Sequence, residues 1–354
     1  MPVSFKPDGV WTALVTPFDK KGKLDSAAFK RLVEFQIAQG ITGLVPTGTT
    51  GESPTLSWDE HNQVVEECVA FCKDKIGVLA GSGSNCTDEA IDATRHAREA
   101  GASAALIVDC YYNGPSSLEL RTEYYEQIAE WVPEIPLVPY VIPGRSGTAL
   151  IAEDLAILHG SKPNRFPAVK QATGDLQRMR YERTLCGDGL AIFSGDDDMT
   201  MAMMDDPEIK GAGVISVMSN LVPGPLSKMV GAHRSGDRET ARKIAAQLEP
   251  LFKLVGCKAQ GSRTLPNGKT VQVEDKFRNP VPVKTMMSGL GMPVGLCRKP
   301  LGRMTRGAVE QCRTALITLY KNYPELLAPV SDTFQVNIHA RLNDDTIWAG
   351  LARS

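Results

Sequence analysis

The sequence has little charge imbalance and no long apolar segment. Lys and Arg total 39 against 41 Asp and Glu, so the formal net charge is -2. This balance gives no electrostatic basis for binding nucleic acid or an anionic membrane. No apolar run approaches about 18 residues, so no segment is expected to span a bilayer. The N-terminal residues lack the long apolar core of a secretory signal, and we expect a cytoplasmic protein.

Cysteine and histidine occur, but not in the spacings that build metal sites. None of the eight cysteines forms a Cys-x-x-Cys pair, and Cys68 and Cys72 lie one helical turn apart. The five histidines are scattered along the chain. We therefore expect the cysteines to be reduced. We expect no zinc site or other metal centre and no disulfide scaffold.

The composition is that of a soluble globular protein. Hydrophobic residues make up 42% of the chain and charged residues 23%, which is ordinary for such proteins. A chain of 354 residues accommodates one large barrel domain or two smaller domains.

Short apolar runs alternate with helical segments through the first two thirds of the chain. Continuous apolar strands of this kind are typical of a parallel sheet that is covered on both faces. A doubly wound sheet is the competing arrangement, but no Gly-x-Gly-x-x-Gly follows the first strand. Eight alternations favour an α/β fold, a (β/α)8 TIM barrel with additional C-terminal helices. The predicted strands cover residues 10–15, 43–46, 77–80, 104–109, 137–141, 168–171, 191–194 and 213–217.

Several helix ends carry recognisable capping residues. Asp25 is a predicted N-cap, and Gly40 is the stop of the same helix. Ser57 and Ser116 each begin a capping box, the second opening a helix that runs through Trp131. Thr87 is predicted to cap the helix that ends near residue 101.

The pattern changes after the eighth strand. We assign residues 1–222 to the barrel, 223–327 to a C-terminal helical region and 328–354 to an extension. A polar insert at about 257–279 contains a predicted hairpin turn at 265–270. The last helix is expected at 307–327. The extension packs either on the surface or across a subunit contact, and both alternatives stay open.

One strand carries a lysine among apolar residues. The stretch from 166 to 174 predicts a short buried strand with Lys170 near its C-terminal end. Desolvation lowers the pKa of a lysine, and the neutral amine is a nucleophile towards carbonyl groups. Alternatively, Lys170 extends to solvent or pairs with a carboxylate.

In a barrel of this kind the active site lies at the C-terminal ends of the strands. Those ends supply the groups that imine chemistry on a 2-oxo acid requires: an amine, a phenol that moves protons, hydroxyls that hold a carboxylate and a guanidinium for a second carboxylate. In that order the candidates are Lys170, Tyr140, the pair Thr49 and Thr50, and Arg145.

Each candidate has a plainer interpretation. The Gly-Thr-Thr-Gly segment at 48–51 is also compatible with a tight turn, and it is not a Walker A loop because no Gly-Lys-Ser/Thr follows. Tyr111 and Tyr112 are also compatible with ordinary packing, and Arg145 with a surface turn. The aspartates at 196–198 suit a helix N-terminus and do not form a metal-binding loop.

Taken in order, these motifs resemble the dihydrodipicolinate synthase / N-acetylneuraminate lyase family of lysine-dependent class I aldolases. The resemblance runs from about residue 10 to about residue 327 and keeps motif order and approximate spacing. Arg145 followed by Ser146-Gly147 resembles the synthase branch, in which an arginine at this place binds the carboxylate of aspartate semialdehyde. The matching segments are 13–18, 48–53, 111–115, 140–147, 169–174, 194–197, 213–216 and 279–284.

The resemblance implies a Schiff-base lyase. It would condense pyruvate with L-aspartate 4-semialdehyde to 4-hydroxy-tetrahydrodipicolinate, in lysine and diaminopimelate biosynthesis. The covalent imine leaves no need for a cofactor, and the implied partners are small-molecule substrates and further copies of the chain in a dimer or tetramer. The implied catalytic residues are Lys170, Tyr140, Thr49 and Tyr112, the last from a neighbouring subunit, and the implied substrate-binding residues are Thr50, Arg145, Ile215 and Gly195.

The resemblance also implies a possible second site. Family members that lysine inhibits bind it at a subunit interface, and plain interface packing is the alternative here. The matching positions are Ser53, Trp58, His61, Asn85, Glu89 and Tyr111.

The chain departs from the family pattern in places that bear on the substrate. Val141, Gly144 and Gln171 replace the more usual Asn, Ser and Glu, and Asp109-Cys110 replaces Thr-Pro. The insert and the extension are additional to the pattern. Two other functions therefore stay open: a pyruvate-dependent aldolase or dehydratase acting on a sugar acid or hydroxy-oxoglutarate, and a metabolite-binding barrel without catalysis.

Overall fold

Eight parallel strands close into a barrel in sequence order, with the eighth strand paired to the first. The computed structural model describes residues 3–72 and 75–353. It confirms the predicted TIM barrel, and each observed strand lies within its predicted range or exceeds it by one residue. The strands are β1 Gly9–Ala13, β2 Gly43–Val45, β3 Gly77–Gly81, β4 Ala104–Val108, β5 Leu137–Val141, β6 Ala168–Gln171, β7 Ala191–Ser194 and β8 Gly213–Ser216.

Helices connect the strands and cover the outside of the barrel. A π-helical turn, Leu120–Tyr125, joins the fourth and fifth of them. The helices up to β8 are α1 Ser26–Ala38, α2 Trp58–Cys72, α3 Thr87–Ala100, α4 Ser117–Glu119, α5 Glu126–Trp131, α6 Pro143–Ser146, α7 Ala152–Ser161, α8 Leu176–Cys186 and α9 Thr200–Asp205.

Three of the four predicted caps are confirmed. The Asp25 carboxylate accepts from the N–H of Ala28, and Ser57 and Ser116 form capping boxes with Glu60 and Glu119. The prediction for Thr87 is wrong. The N-cap position of α3 belongs to Cys86, and the Thr87 hydroxyl instead donates to the Glu123 carbonyl at 2.9 Å. The Thr87 hydroxyl is therefore used in a tertiary hydrogen bond instead of a helix cap.

The barrel interior is filled by alternate strand residues that form their own apolar cluster. Trp11 closes the lower end and is fully buried. Two neighbouring strands make room for its ring with glycine, since a Cβ at Gly43 or Gly77 would lie 2.3 or 2.7 Å from a ring carbon. Smaller side chains at this level would leave a cavity below the site. The packed floor therefore confines any ligand to the upper end of the barrel.

The C-terminal third adds helices and one hairpin. Helices α10 Pro223–Arg234 and α11 Arg238–Phe252 precede the strands β9 Cys257–Thr264 and β10 Thr270–Phe277, which pair antiparallel. The predicted turn is confirmed, since the N–H of Leu265 donates to the carbonyl of Lys269. Helices α12 Val281–Leu290 and α13 Arg306–Asn322 follow. The predicted last helix ends five residues early, because Pro324 starts a separate 3-10 turn.

The extension folds back onto its own chain. It forms α14 Ala328–Phe334, α15 Ile338–Asn343 and α16 Asp345–Leu351, which bury Phe334, Leu342 and Trp348. Helices α15 and α16 contact α12 and α13. Gly289 of α12 leaves room for the Trp348 ring, since a Cβ there would lie 2.1 Å from it. Among the described helices, none combines the length and apolar character that a bilayer crossing requires.

Candidate active site

Lys170 lies inside the barrel at the upper end of β6. It is paired in register with Tyr140 on β5 and Phe193 on β7, and it is 5% exposed. Its Nζ lies 4.0 Å from the centroid of the Tyr140 ring. Within residues 3–72 and 75–353, Lys170 makes no salt bridge. The alternatives of a solvent-exposed or ion-paired lysine are therefore wrong, because the strand turns the side chain into the packed interior.

Burial changes the protonation of both groups. It lowers the pKa of Lys170 to about 8, against the opposing influence of the Asp196 and Asp197 carboxylates. Burial also raises the pKa of the Tyr140 phenol, although Arg145 and Thr49 partly oppose the rise. The amine is therefore neutral in an appreciable fraction of molecules near neutral pH, whereas the phenol keeps its proton. This combination provides a nucleophile beside a proton donor.

A cavity opens above this pair at the C-terminal ends of the strands. It holds about 770 Å³ including its open mouth, and Thr49, Tyr140 and Arg145 are among its lining residues. Lys170 is not among the lining residues, but its Nζ lies against the ring of Tyr140, which is. The structure thus brings together the amine, the phenol, one threonine hydroxyl and the guanidinium that the sequence singled out.

Thr50 faces a different partner from its neighbour Thr49. Its buried hydroxyl accepts from Nδ2 of Asn279 at 2.9 Å, and the carbonyl of Asn279 accepts from Nη2 of Arg145 at the same distance. Asn279 therefore links the loop after β2 to the loop after β5. Sequence reasoning quoted the motif at 279–284 but assigned no role to this asparagine.

A buried ion pair anchors the same loop from below. Glu52 and Lys284 are both essentially unexposed, and their charged atoms lie 2.7 Å apart. The Lys284 ammonium also donates to the carbonyl of Thr16, and the second Glu52 oxygen accepts from the N–H of Arg298. Thr47 and Glu52 both have left-handed backbone angles, with φ of 54 and 59 degrees. Non-glycine residues hold such angles only when their surroundings enforce them. Sequence reasoning missed this pair, whose members stand in two of the quoted motifs.

Gly195 lies against the lysine, and Ile215 lies in the barrel interior. The N–H of Gly195 donates to the carbonyl of Gln171 at 2.6 Å, and a Cβ at Gly195 would lie 3.1 Å from Cε of Lys170. Glycine here thus permits close approach of the loop to the amine. Ile215 belongs to the interior cluster, in register with Trp11.

The aspartates after β7 have a structural role of their own. Asp197 begins a 3-10 turn, and its buried carboxylate accepts from the Ser216 hydroxyl and from the N–H groups of Val217 and Met218. It thereby joins the ends of β7 and β8. The helix-start interpretation was correct in position, but the side chain bonds to the neighbouring loop rather than to its own helix.

Tyr112 does not join the site of its own chain. Its side chain is 90% exposed, and its φ is 77 degrees. The adjacent Tyr111 instead lines the cavity. The neighbouring-subunit role of Tyr112 stays a prediction.

The predicted lysine-binding residues gather around the loop after β3. The His61 ring bonds the Gly81 carbonyl at 2.8 Å, and the Trp58 ring packs 5.2 Å from it. Ser84 donates to Glu89 at 2.5 Å, and Asn85 is its neighbour. Ser53 and Tyr111 line the cavity beside this loop. The residues are therefore contiguous, and lysine binding at this place stays a prediction.

Comparison with known proteins places the chain in a family. A sequence profile of the "Dihydrodipicolinate synthetase family" matches residues 6–318. The chain belongs to this family. The resemblance described from the motifs is thus confirmed.

Two curated relatives illustrate the similarity, and both carry the same name. A 4-hydroxy-tetrahydrodipicolinate synthase of Nitratidesulfovibrio vulgaris is 41% identical over 80% of this chain and 88% of its own. A protein of the same name from Syntrophus aciditrophicus is 38% identical over 89% of this chain and 98% of its own.

Solved structures of the family superpose along most of the chain. The 4-hydroxy-tetrahydrodipicolinate synthase of Methylacidiphilum fumariolicum SolV has a TM-score of 0.79 at 33% identity, over 93% of this chain and 100% of its own. The enzyme of Cyanidioschyzon merolae, solved with lysine bound, has a TM-score of 0.78 at 32% identity, over 88% of this chain and 98% of its own.

Proposed function

We propose that this protein condenses pyruvate with L-aspartate 4-semialdehyde to form 4-hydroxy-tetrahydrodipicolinate. The observation that carries the proposal is the buried Lys170 amine beside Tyr140 at the upper end of the barrel. Membership of the dihydrodipicolinate synthetase family supports it, and so does the shared name of the relatives.

The reaction begins with the neutral amine. Lys170 attacks the keto carbon of pyruvate, and loss of water leaves a protonated imine. This imine withdraws electrons, so a methyl proton can leave and give the enamine. Tyr140 and Thr49 transfer the protons of these steps. Thr50 and the backbone at Ile215 and Gly195 hold the pyruvate end, and no external cofactor takes part.

The second substrate enters at the open side of the cavity. The enamine carbon attacks the aldehyde carbon, and Arg145 holds the carboxylate of the semialdehyde. The amino group of this substrate then displaces Lys170 from the former keto carbon. Ring closure releases the product and returns the lysine as a free amine.

The pH dependence of adduct formation follows from the lowered pKa of Lys170. The neutral fraction rises as pH increases through about 8. At pH 6 only about 1% of the amine is neutral, so the rate of pyruvate imine formation is expected to rise about tenfold per pH unit up to pH 7 and to level off above pH 9. Quenched-flow borohydride trapping, read by mass spectrometry, measures this rate. Free lysine under identical conditions is the control, and a flat profile between pH 6 and pH 9 would contradict the proposed nucleophile.

The acceptor is tested by a coupled assay. Pyruvate with aspartate semialdehyde is expected to give turnover in the presence of the reductase that consumes the product. Sugar acids and hydroxy-oxoglutarate are the comparison substrates. Turnover of one of these without reaction of the semialdehyde would reject the synthase in favour of another pyruvate-dependent aldolase or dehydratase. Absence of any trapped pyruvate adduct would favour a metabolite-binding barrel.

We also propose that Tyr112 acts from the partner subunit of a homo-oligomer, in a dimer or tetramer. A phenol that is 90% exposed in one chain is free to enter the site of another. In the coupled assay Tyr112→Phe is expected to lower turnover while the oligomer, followed by light scattering, persists. An unchanged rate would count against this role.

A further inference from the structure

A second and larger cavity adjoins the catalytic one. It holds about 2080 Å³ including its open mouth, against about 770 Å³ for the catalytic cavity. The two share Thr49, Pro54 and Arg145 as lining residues. We call the larger one the vestibule. Its walls come from the end of β10, the segment 296–303 and the last described residue.

The vestibule is lined by six cationic side chains. All six are exposed, and Arg145 lines both the vestibule and the catalytic cavity. The protein as a whole carries a formal net charge of -2, so this accumulation does not reflect composition. The six are Arg145, Lys276, Arg278, Lys299, Arg303 and Arg353.

These charges have no acidic partners in the part of the chain that the structure describes. Arg145 and Arg278 donate to the backbone carbonyls of Asn279 and Gly144, which orient a guanidinium without neutralising it. Elsewhere on the surface, exposed cations do find carboxylates. Lys258 and Arg263 of the same hairpin pair with Glu274 and Asp275 at 2.7 Å.

Among the described residues, Glu52 is the one acidic side chain in the vestibule wall, and its carboxylate already has partners. Glu52 accepts from the Lys284 ammonium at 2.7 Å and from the N–H of Arg298 at 2.8 Å. Because the Glu52 carboxylate is paired with Lys284, it does not neutralise the cations that line the vestibule. Concave surfaces with charges of one sign concentrate counter-ions.

Half of these cations come from segments that are additional to the family pattern. Lys276 and Arg278 belong to the insert, and Arg353 belongs to the extension. The extension reaches the vestibule because the N–H of Arg353 donates to the Met304 carbonyl at 2.8 Å. Two separate additions to the barrel thus deliver positive charge to one place.

We propose that the vestibule binds a small polyanion with two or more carboxylate or phosphate groups. Monovalent pyruvate needs only the catalytic cavity, whereas six converging cations match several anionic groups on one molecule. Arg145 belongs to both cavities, so the bound polyanion lies across the entrance to the catalytic site. The proposal concerns a site outside the imine chemistry and does not depend on the identity of the acceptor aldehyde.

Isothermal titration calorimetry tests the proposal without turnover. Citrate and pyrophosphate are the carboxylate and phosphate probes, with acetate as the monovalent comparison at matched ionic strength. One molecule of citrate or pyrophosphate is expected to bind per chain, at least about tenfold more tightly than acetate, and to weaken as salt shortens the screening length. Binding of one probe alone supports the site and identifies its chemistry.

Charge-reversed variants locate the binding. The double variant Lys276→Glu/Arg303→Glu is expected to lose about tenfold in affinity, because two attractions become repulsions. Lys243→Glu on α11 is the matched control, since Lys243 is exposed, makes no salt bridge in the described chain and lies outside the vestibule lining. Should the double variant unfold, Lys276→Gln and Arg353→Gln replace it, each with a smaller loss. Equal affinity for acetate, or an equal loss in Lys243→Glu, would overturn the proposal, and failure of the pyruvate assay would leave it standing.

Discussion

Lys170→Ala is expected to abolish pyruvate trapping and to lower turnover by about four orders of magnitude, since the covalent intermediate loses its only attachment point. The amine is buried, has a pKa lowered to about 8 and lies against the Tyr140 ring. Removing it takes away the nucleophile while the cavity wall of Thr49 and Arg145 stays in place. Mass spectrometry after borohydride reduction with pyruvate measures the adduct, and the coupled assay measures turnover.

The control for this variant is another lysine. Lys243→Ala removes an exposed amine from α11 and is expected to keep both the adduct and the rate. A truncated buried side chain also alters packing, so circular dichroism must show that Lys170→Ala remains folded. A wild-type adduct that persists in a folded Lys170→Ala protein would assign the imine to another amine and refute the proposed mechanism.

Lys284→Met is expected to lower the free energy of unfolding by about 3–5 kcal/mol, because it leaves the Glu52 charge buried without its partner. Both side chains are essentially unexposed, with 2.7 Å between Nζ and Oε1. The double variant Glu52→Gln/Lys284→Met removes both charges and is expected to recover most of this loss. Urea unfolding at one fixed protein concentration provides the measurement, since assembly makes apparent stability concentration-dependent.

An exposed pair on the hairpin provides the matched control. Lys258 and Glu274 are also 2.7 Å apart, but their side chains are 58% and 45% exposed. Lys258→Met is therefore expected to change the free energy of unfolding by no more than about 1 kcal/mol. Equal effects of Lys258→Met and Lys284→Met would show that burial does not determine the strength of the Glu52–Lys284 pair.

The Glu52–Lys284 pair also positions the loop after β2. Glu52 ends the loop that carries Thr49 and Thr50, and both ends of this loop have left-handed backbone angles. The buried pair holds that loop against α12, which carries Lys284. Loss of the pair is therefore expected to disturb substrate binding as well as stability.

The sequence by itself determined the barrel and the buried strand that carries Lys170. Eight apolar runs separated by capped helices permit few architectures, because parallel strands covered on both faces need helical crossovers. Lys170 stands at the end of one such run, which predicts a position near the mouth of the barrel. The chain order of Thr49, Tyr140, Arg145 and Lys170 resembles that of one family. These features are local or periodic, so they can be recognised without coordinates.

Only the tertiary structure decided which distant groups meet. Asn279 reaches Thr50, and Lys284 reaches Glu52, across more than 200 residues of sequence. The Thr87 hydroxyl does not cap α3 as predicted and instead donates to the carbonyl of Glu123. The vestibule cations come from the loop after β5, the hairpin, the segment 296–303 and the C-terminal extension, and no sequence period links them. Contacts of this kind form between segments that are distant in sequence. They depend on how those segments pack against one another, and the residue pattern within a single segment does not reveal it.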